Sequence, residues 1–578
     1  MRLLFILFIF VIVRSSSAQV NFEVDTLYYS HRISGEIDTL DVANNTIEAT
    51  TFDGGFSVFS FSSMNTNQIL NSLAENSFQY TNDFRKMKYS SLPHLGFTYS
   101  FGSQGFQELN ASFENAFSRK LLLNIYYNRA SAIGQIRNSE FKNNDVQAQL
   151  TRNAKRYSFK LQGMYRSSVV NHSGGITTDT LIEDFGLEFT PVQKVNARDS
   201  IKLAKVAFKN YFNFTNDSLN QFGLVTDHYF TIRNRVYNES DTLFGLYDNV
   251  FIDSFSTRDQ LNLGRISNGG GLYGSFLNGE LYSDVRLNYN YWDYQNLGSH
   301  LRNNEVNIAS NFTYRKRSFF ITNDFYYNFQ GAYNEWSNRV YASYRTRKLN
   351  LFGSINVLNL APNPTKRIYF SNNYNFQLSS IDKEFTNRSE IGAVYSVIDS
   401  VWKISGAFNL GTFKDVYTFN GTTYQNDSLS RIDVYSLNFK SELRLKWLRI
   451  NNSLRIVNSK TSYVPQFQSY NRVYFNSRVF KAKKLLISTG VDFNFTSEFN
   501  LRSYNPVMDV YSWNNLTQSV PQLMNLHAFL SFGIDEFRFF FRFENIGYFW
   551  NDKTIYVMEN FPLASPRFRV GISWDFFN

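Results

Sequence analysis

Apolar and polar residues alternate one for one over most of the chain after residue 93. Leu281, Ser283, Val285, Leu287, Tyr289 and Tyr291 alternate with Asp284, Arg286, Asn288 and Asn290. Leu485, Ile487, Val491 and Phe493 alternate with Ser488, Gly490, Asp492 and Asn494. Phe537, Phe539, Phe541 and Phe543 alternate with Arg538, Arg542 and Glu544. In the last stretch, Phe568, Val570, Ile572, Trp574 and Phe576 alternate with Arg567, Arg569, Gly571, Ser573 and Asp575. Successive side chains of a strand point to opposite faces, so each stretch predicts a strand with one apolar and one polar face. The segments run to about 10–12 residues, the length a tilted strand needs to cross a hydrocarbon layer.

The connections fall into two kinds. Tight polar turns are predicted at Asn278-Gly279, Arg315-Lys316-Arg317, 481–484 and Asp535-Glu536. Asn-Gly between alternating runs is a strong hairpin signal. Long loops are predicted over 169–201, 239–271, 413–430, 496–522 and 547–565. Asn268-Gly269-Gly270-Gly271 lacks the Lys-Ser/Thr of a phosphate loop and reads as a loop tip. Short turns at one end and long loops at the other are the layout of an outer-membrane barrel, which closes because no open strand edge can face lipid. This is an all-β reading: a large antiparallel transmembrane barrel with a short N-terminal extension. At roughly 22–27 residues per strand with its share of loop, it holds about 18–22 strands. Between Gln330 and Val401, turns and loops look alike and the count slips.

A Lys or Arg on the lipid face costs about 2–4 kcal/mol near the bilayer midplane. Arg538 and Arg542, opposite a stripe of phenylalanines, must therefore face a polar lumen. A soluble sandwich gives the same alternation, but the N-terminus argues for export. Arg2 precedes an apolar run from Leu3 to Val13, followed by Arg14 and Ser15-Ser16-Ser17-Ala18. That run is too short for a membrane-spanning helix and has the flanks of a secretory signal. Residues 1–18 are expected to be a signal peptide cut after Ala18, with no Cys there for a lipid anchor. Residues 19–93 read as a periplasmic or luminal extension, with a short strand at Phe56, Val58, Phe59 and Phe61 and a short helix over 66–77. Residues 94–578 are the barrel.

Composition narrows the chemistry. Aromatic residues make up 18% of the chain, which suits strands and membrane interfaces. Mean hydropathy is −0.33, too low for a helical membrane bundle. The absence of Cys excludes disulfides, thiolate metal sites and cysteine nucleophiles. The net charge of +10 is scattered, with no basic block for nucleic acid. The six histidines show no metal-ligand spacing, and neither HExxH nor GxSxG occurs. No enzyme, cofactor or metal site is expected.

The charges on the polar faces are the remaining constellation. Arg538, Arg542, Arg567, Arg569, Asp492 and Asp575 are candidate pore-lining residues, with Arg286, Arg455, Asp284, Asp324 and Glu544 on the same kind of face. His527 is expected on that face too. Two readings stand. A guanidinium patch raises the local anion concentration and guides anionic solutes. Alternatively, the arginines pair with the nearby acids and stiffen the wall.

The final strand resembles the assembly signal of outer-membrane barrels through Arg569, Gly571, Trp574 and Phe576. Over most of its length the chain resembles the putative porin family of Bacteroidota outer membranes. The likeness rests on the pairs Asp25-Thr26 and Asp38-Thr39, on Leu95-Gly96, and on Tyr504-Asn505-Pro506 after the Gly490–Phe493 strand. Asn545 in a Phe-rich strand and Phe561-Pro562 before the last strand extend it. The resemblance implies an outer-membrane channel in contact with lipid and lipopolysaccharide, inserted by the barrel-assembly machinery. Taken with the polar inward faces, the chain is expected to be a passive channel for small hydrophilic solutes, by diffusion through a lumen narrowed by inward-folded loops. The alternatives are a gated, energy-coupled transporter, suggested by the stretch Glu23–Leu27, and a non-transport barrel in secretion or surface attachment.

Overall fold

The alternating segments pair, each with the next in sequence, into one antiparallel sheet of 22 strands that closes on itself. The structure, a computed structural model, describes residues 24–26 and, apart from short gaps in loops and turns, residues 87–577. The expected signal peptide and the strand and helix expected before Pro93 lie outside the described residues. Val24–Thr26 pairs in parallel with Met87–Tyr89.

In chain order the barrel begins with β1 (His94–Gly102), β2 (Gln107–Ser118), β3 (Leu121–Ala132), β4 (Phe141–Arg152), β5 (Tyr157–His172) and β6 (Ala197–Asn213). It continues with β7 (Gln221–Glu239), β8 (Thr257–Phe276), β9 (Leu281–Asn296), β10 (Ser299–Lys316), β11 (Phe319–Gln330) and β12 (Trp336–Arg345). Then come β13 (Leu349–Leu360), β14 (Glu384–Ile398), β15 (Trp402–Lys414), β16 (Arg431–Arg444) and β17 (Leu448–Ser459). The last are β18 (Phe467–Val479), β19 (Leu485–Thr496), β20 (Leu523–Ile534), β21 (Phe537–Glu544) and β22 (Arg567–Phe577). β22 pairs back onto β1, with His94 opposite Phe577 and Gly102 opposite Arg569. Closure leaves no edge to meet lipid.

The count sits at the upper end of the expected range. The stretch where parity slipped resolves into β12, β13, β14 and one loop, 361–383, between the last two. That loop carries a single helical turn, Pro364–Arg367, and the hairpin Ile368–Phe370 with Asn375–Gln377. Two expectations are corrected. Arg315 and Lys316 belong to the end of β10, so the turn begins after them. Gly269-Gly270-Gly271 is no loop tip but part of β8. A Cβ on Gly269 would lie 1.9 Å from Asn288 Oδ1, and one on Gly271 1.9 Å from the Val285 carbonyl oxygen. The glycines admit the close approach of β9, which sequence periodicity does not reveal.

The faces sort as the alternation requires. Val285, Leu287, Tyr289, Phe537, Phe539 and Phe541 are exposed on the outer wall, and Arg538, Arg542 and Glu544 are buried inside. Strands β5 to β10 run to 16–20 residues. That exceeds the roughly 9–11 that cross a bilayer, so this side of the barrel rises above the membrane as a wall.

Candidate functional site

Every long connection lies at one end of the barrel, the end where β1 stops and β22 begins. In barrels of this layout that end is extracellular. Two apolar cores are assembled there from loops that start on opposite sides of the ring. The first joins Ile136, then Ile176, Ile182, Leu187 and Val192 of loop 173–196, to Phe499, Leu501 and Val520 of loop 497–522 and to Val557, Met558 and Phe561 of loop 545–566. It also takes in Phe413, Ile432, Val434 and Val457 near the outer ends of β15, β16 and β17. The second joins Tyr369, Tyr374 and Phe376, Tyr417, Phe419 and Tyr424, and Val507 and Met508 to the raised wall at Tyr237, Leu261, Trp292 and Tyr294. Burial of this many large side chains is the main force holding such a cover together, at about 1.5–3 kcal/mol for each fully buried one. The loops form a lid across the mouth.

Polar contacts fix the lid at defined points. Arg235, near the outer end of β7, donates to the carbonyls of Val507 at 2.6 Å and Pro506 at 2.5 Å, and its Nε meets Asp199 Oδ2 at 2.6 Å. β7 and the loop between β19 and β20 stand nearly opposite in the ring of 22. Asn505 donates to the Tyr374 hydroxyl at 2.6 Å, joining that loop to 361–383. Burial pushes the Tyr374 hydroxyl up to about 12. On the raised wall Lys194 holds Glu239 and the Tyr247 hydroxyl, each at 2.6 Å. Burial and the Glu239 carboxylate keep that hydroxyl well above its ordinary range. Ile176 N–H donates to the Asn560 carbonyl at 2.8 Å, and the Ser565 N–H to Gln135 Oε1 at 2.9 Å.

The expected site residues cluster in the barrel wall near the closing strands. Asp492 accepts from Arg472 Nε at 2.6 Å and lies 3.0 Å from Arg542. Glu544 receives Arg567 at 2.8 Å, with Arg542 and Arg569 each at 3.5 Å. Both carboxylates are 0% exposed, and Arg569 also lies over the Phe106 ring at 4.1 Å. His527 Nδ1 accepts from the Asn545 N–H at 3.1 Å. Arg538 is buried on the same face. Asp575 stands apart toward the other end, 2.9 Å from His94 Nε2. Arg472, Arg542, Arg567 and Arg569 form a network of ion pairs with Asp492 and Glu544. Arg472 and Arg235 were missed, although alternation places each on an inward face.

Of the assembly-signal residues, Arg569 is in that network, while Trp574 and Phe576 are exposed on the outer wall with rings stacked at 4.5 Å. Gly571 lies beneath Phe540. A Cβ there would sit 2.3 Å from Phe540 Cζ and 2.8 Å from the Tyr99 carbonyl oxygen.

Below the lid a cavity of about 680 Å³ runs along the lumen side of β7 to β13. Its upper end is lined by Trp292, Pro364 and Arg367, and its lower part by Asp227, Arg286 and Asn288. Arg286 is tied to Asp227 at 2.7 Å and to Asp284 at 2.8 Å. Trp292 Nε1 donates to Glu305 at 2.9 Å. The cavity lining mixes amides, carboxylates, guanidinium groups and aromatic faces. Among the described residues no group of three His, Asp or Glu converges as a metal site.

Comparison with known proteins agrees with this architecture. The model of a family described as "Putative porin" matches residues 18–578. No curated protein matches the chain. Among solved structures, the FrpB iron transporter from Neisseria meningitidis is similar with a TM-score of 0.58 and 10% identity, over 84% of this chain and 83% of that one. The ferric-catecholate import receptor Fiu from E. coli K12 gives a TM-score of 0.58 at 10% identity, over 85% and 83%. The ferric enterobactin receptor PfeA from Pseudomonas aeruginosa gives 0.60 at 9%, over 84% and 81%. At these identities the likeness is one of fold.

Proposed function

Because the chain belongs to the putative porin family and forms an outer-membrane barrel, we propose that it carries small hydrophilic solutes across the outer membrane through a mouth gated by its own loops. The observation that carries this reading is the anchoring of loop 497–522 on Arg235, nearly opposite its own strands. A loop that merely narrowed an open pore would not need a buried guanidinium on the far wall to hold its backbone. The expected passive channel therefore becomes a gated one. Solute enters when loop 497–522 leaves Arg235, meets the cavity beneath, and passes on toward the periplasm.

The outer wall supplies the remaining partners. Exposed Phe537, Phe539, Phe568, Trp574 and Phe576 would meet lipid and lipopolysaccharide, with the last two at the periplasmic interface. The strand that ends there is the segment the barrel-assembly machinery would read, after signal cleavage behind Ala18. Osmotic swelling of proteoliposomes in small sugars and amino acids tests the transport reading. Swelling that rises on deletion of residues 503–512 supports it. A barrel that passes no solute in either form overturns it.

A further inference from the structure

On the wall formed by β12 to β15, two arginines stand in a different state. A second cavity, of about 290 Å³, is lined by Arg339 of β12, Asn356 of β13, Arg388 and Glu390 of β14, and Asn409 and Gly411 of β15. The four strands bring one row together: Arg339 pairs in register with Asn356, Asn356 with Arg388, and Arg388 with Gly411. Neighbouring strands lie about 4.8 Å apart, so the two guanidinium stems rise about 10 Å from one another with an amide between them. The outward neighbours Val340, Ile355 and Ile391 sit on the other face of each strand, and Ile355 and Ile391 are exposed there, which places the row on the lumen side.

Neither arginine forms an ion pair among the described residues. Asp324, in register with Arg339 on its other side, accepts instead from Asn311. Arg388 lies 5.7 Å from the Phe413 ring, and its buried Nε–H reaches no acceptor. Buried polar groups are almost always satisfied, so the Arg388 edge calls for an acceptor, and a guanidinium fork suits a planar oxyanion; Arg339 is exposed and open to the same ligand. Gly411, in register with Arg388, lines the same cavity. Glu390 is the single carboxylate lining this cavity, and Arg339 and Asn356 also border the larger one, on the side where Asp324 stands.

We infer that Arg339 and Arg388, with Asn356 between them, form an oxyanion site in the lumen wall that binds the carboxylate or phosphate group of a small solute. This deepens the transport reading and rests on it for its role. Anion recognition, one of the two readings open for Arg538, Arg542, Arg567 and Arg569, falls here to a different pair. There the guanidinium groups are not tied up by carboxylates.

Calorimetric titration of the purified full chain in detergent at low salt, with inorganic phosphate and separately with citrate, tests the site. Arg339→Gln and Arg388→Gln are each expected to weaken binding tenfold or more. Arg317→Gln, which removes the same charge from an exposed turn, is expected to leave it unchanged. Arg388→Lys keeps the charge and loses the fork, and an intermediate affinity is expected. Retained heat-modifiable migration on gels confirms that each variant is folded. Binding of phosphate alone, citrate alone or both, lost in the two glutamine variants, supports the site and says which headgroup it takes. No binding of either anion to the wild-type chain, or equal binding by all variants, overturns it. Binding without solute flux in proteoliposomes would keep the site and remove the transport reading, so the two failures are distinct.

Discussion

His94, the first residue of the first strand, lies 2.9 Å from Asp575 in the last, and its other ring nitrogen lies 2.5 Å from Glu114 on β2. One imidazole thus bridges three strands across the seam where the barrel closes. Its ring also meets that of Phe577, with centroids 4.5 Å apart. Loss of the ring would leave the buried Glu114 carboxylate without this partner, which costs about 1–3 kcal/mol. His94→Ala is expected to lower the unfolding free energy of the heat-modifiable form by that amount, read as a lower urea midpoint. In a double-mutant cycle with Asp575→Asn, the combined loss should be smaller than the sum of the two. Strict additivity would show that the seam contact contributes nothing.

The latch at Arg235 has a sharper signature. Arg235→Ala removes two backbone anchors of loop 497–522 and leaves Asp199 buried without its guanidinium, a change of about 3–5 kcal/mol. Protease added outside proteoliposomes is expected to cut within 503–512 at least tenfold faster than in the wild type, while the strands stay intact. Unchanged cleavage would mean that the apolar contacts of Val507 and Met508 hold the loop unaided.

Gly571 separates packing from signalling. Any side chain there collides with the Phe540 ring. Gly571→Ala is expected to slow or reduce refolding into detergent micelles, where no assembly machinery is present, and Phe540→Ala is expected to restore part of the yield. Normal refolding of Gly571→Ala, with a defect seen only in cells, would make Gly571 a recognition residue instead.

The barrel was legible in the chain because one physical rule, the twofold alternation of strand faces, operates almost everywhere in it. Phe537, Phe539 and Phe541 fall outside, and Arg538 and Arg542 inside, for that reason. The glycine run at 269–271 was misread because glycine marks turns and close strand approaches alike, and only Asn288 and Val285 across the ladder tell them apart. The lid was not legible. Alternation reports which face a residue occupies but not which distant segment covers it. Arg235 and Pro506 therefore looked unrelated, and Tyr504-Asn505-Pro506 stood only as a likeness. The pairing of Arg542 with Asp492 and of Arg567 with Glu544 was one of two open readings for the same reason. The distinct state of Arg388 depends on what lies opposite in register, which no local pattern encodes.

Single-channel conductance in planar bilayers tests the central claim, that the loops close the mouth, most directly. The full chain is expected to be nearly silent. Deletion of residues 503–512, which removes the hairpin tip that Arg235 holds, is expected to produce large, stable steps. Pairing the same deletion with removal of the segment before His94 isolates the lid's own share. Large steady steps from the unaltered chain, no different after the tip is removed, would contradict a gated mouth.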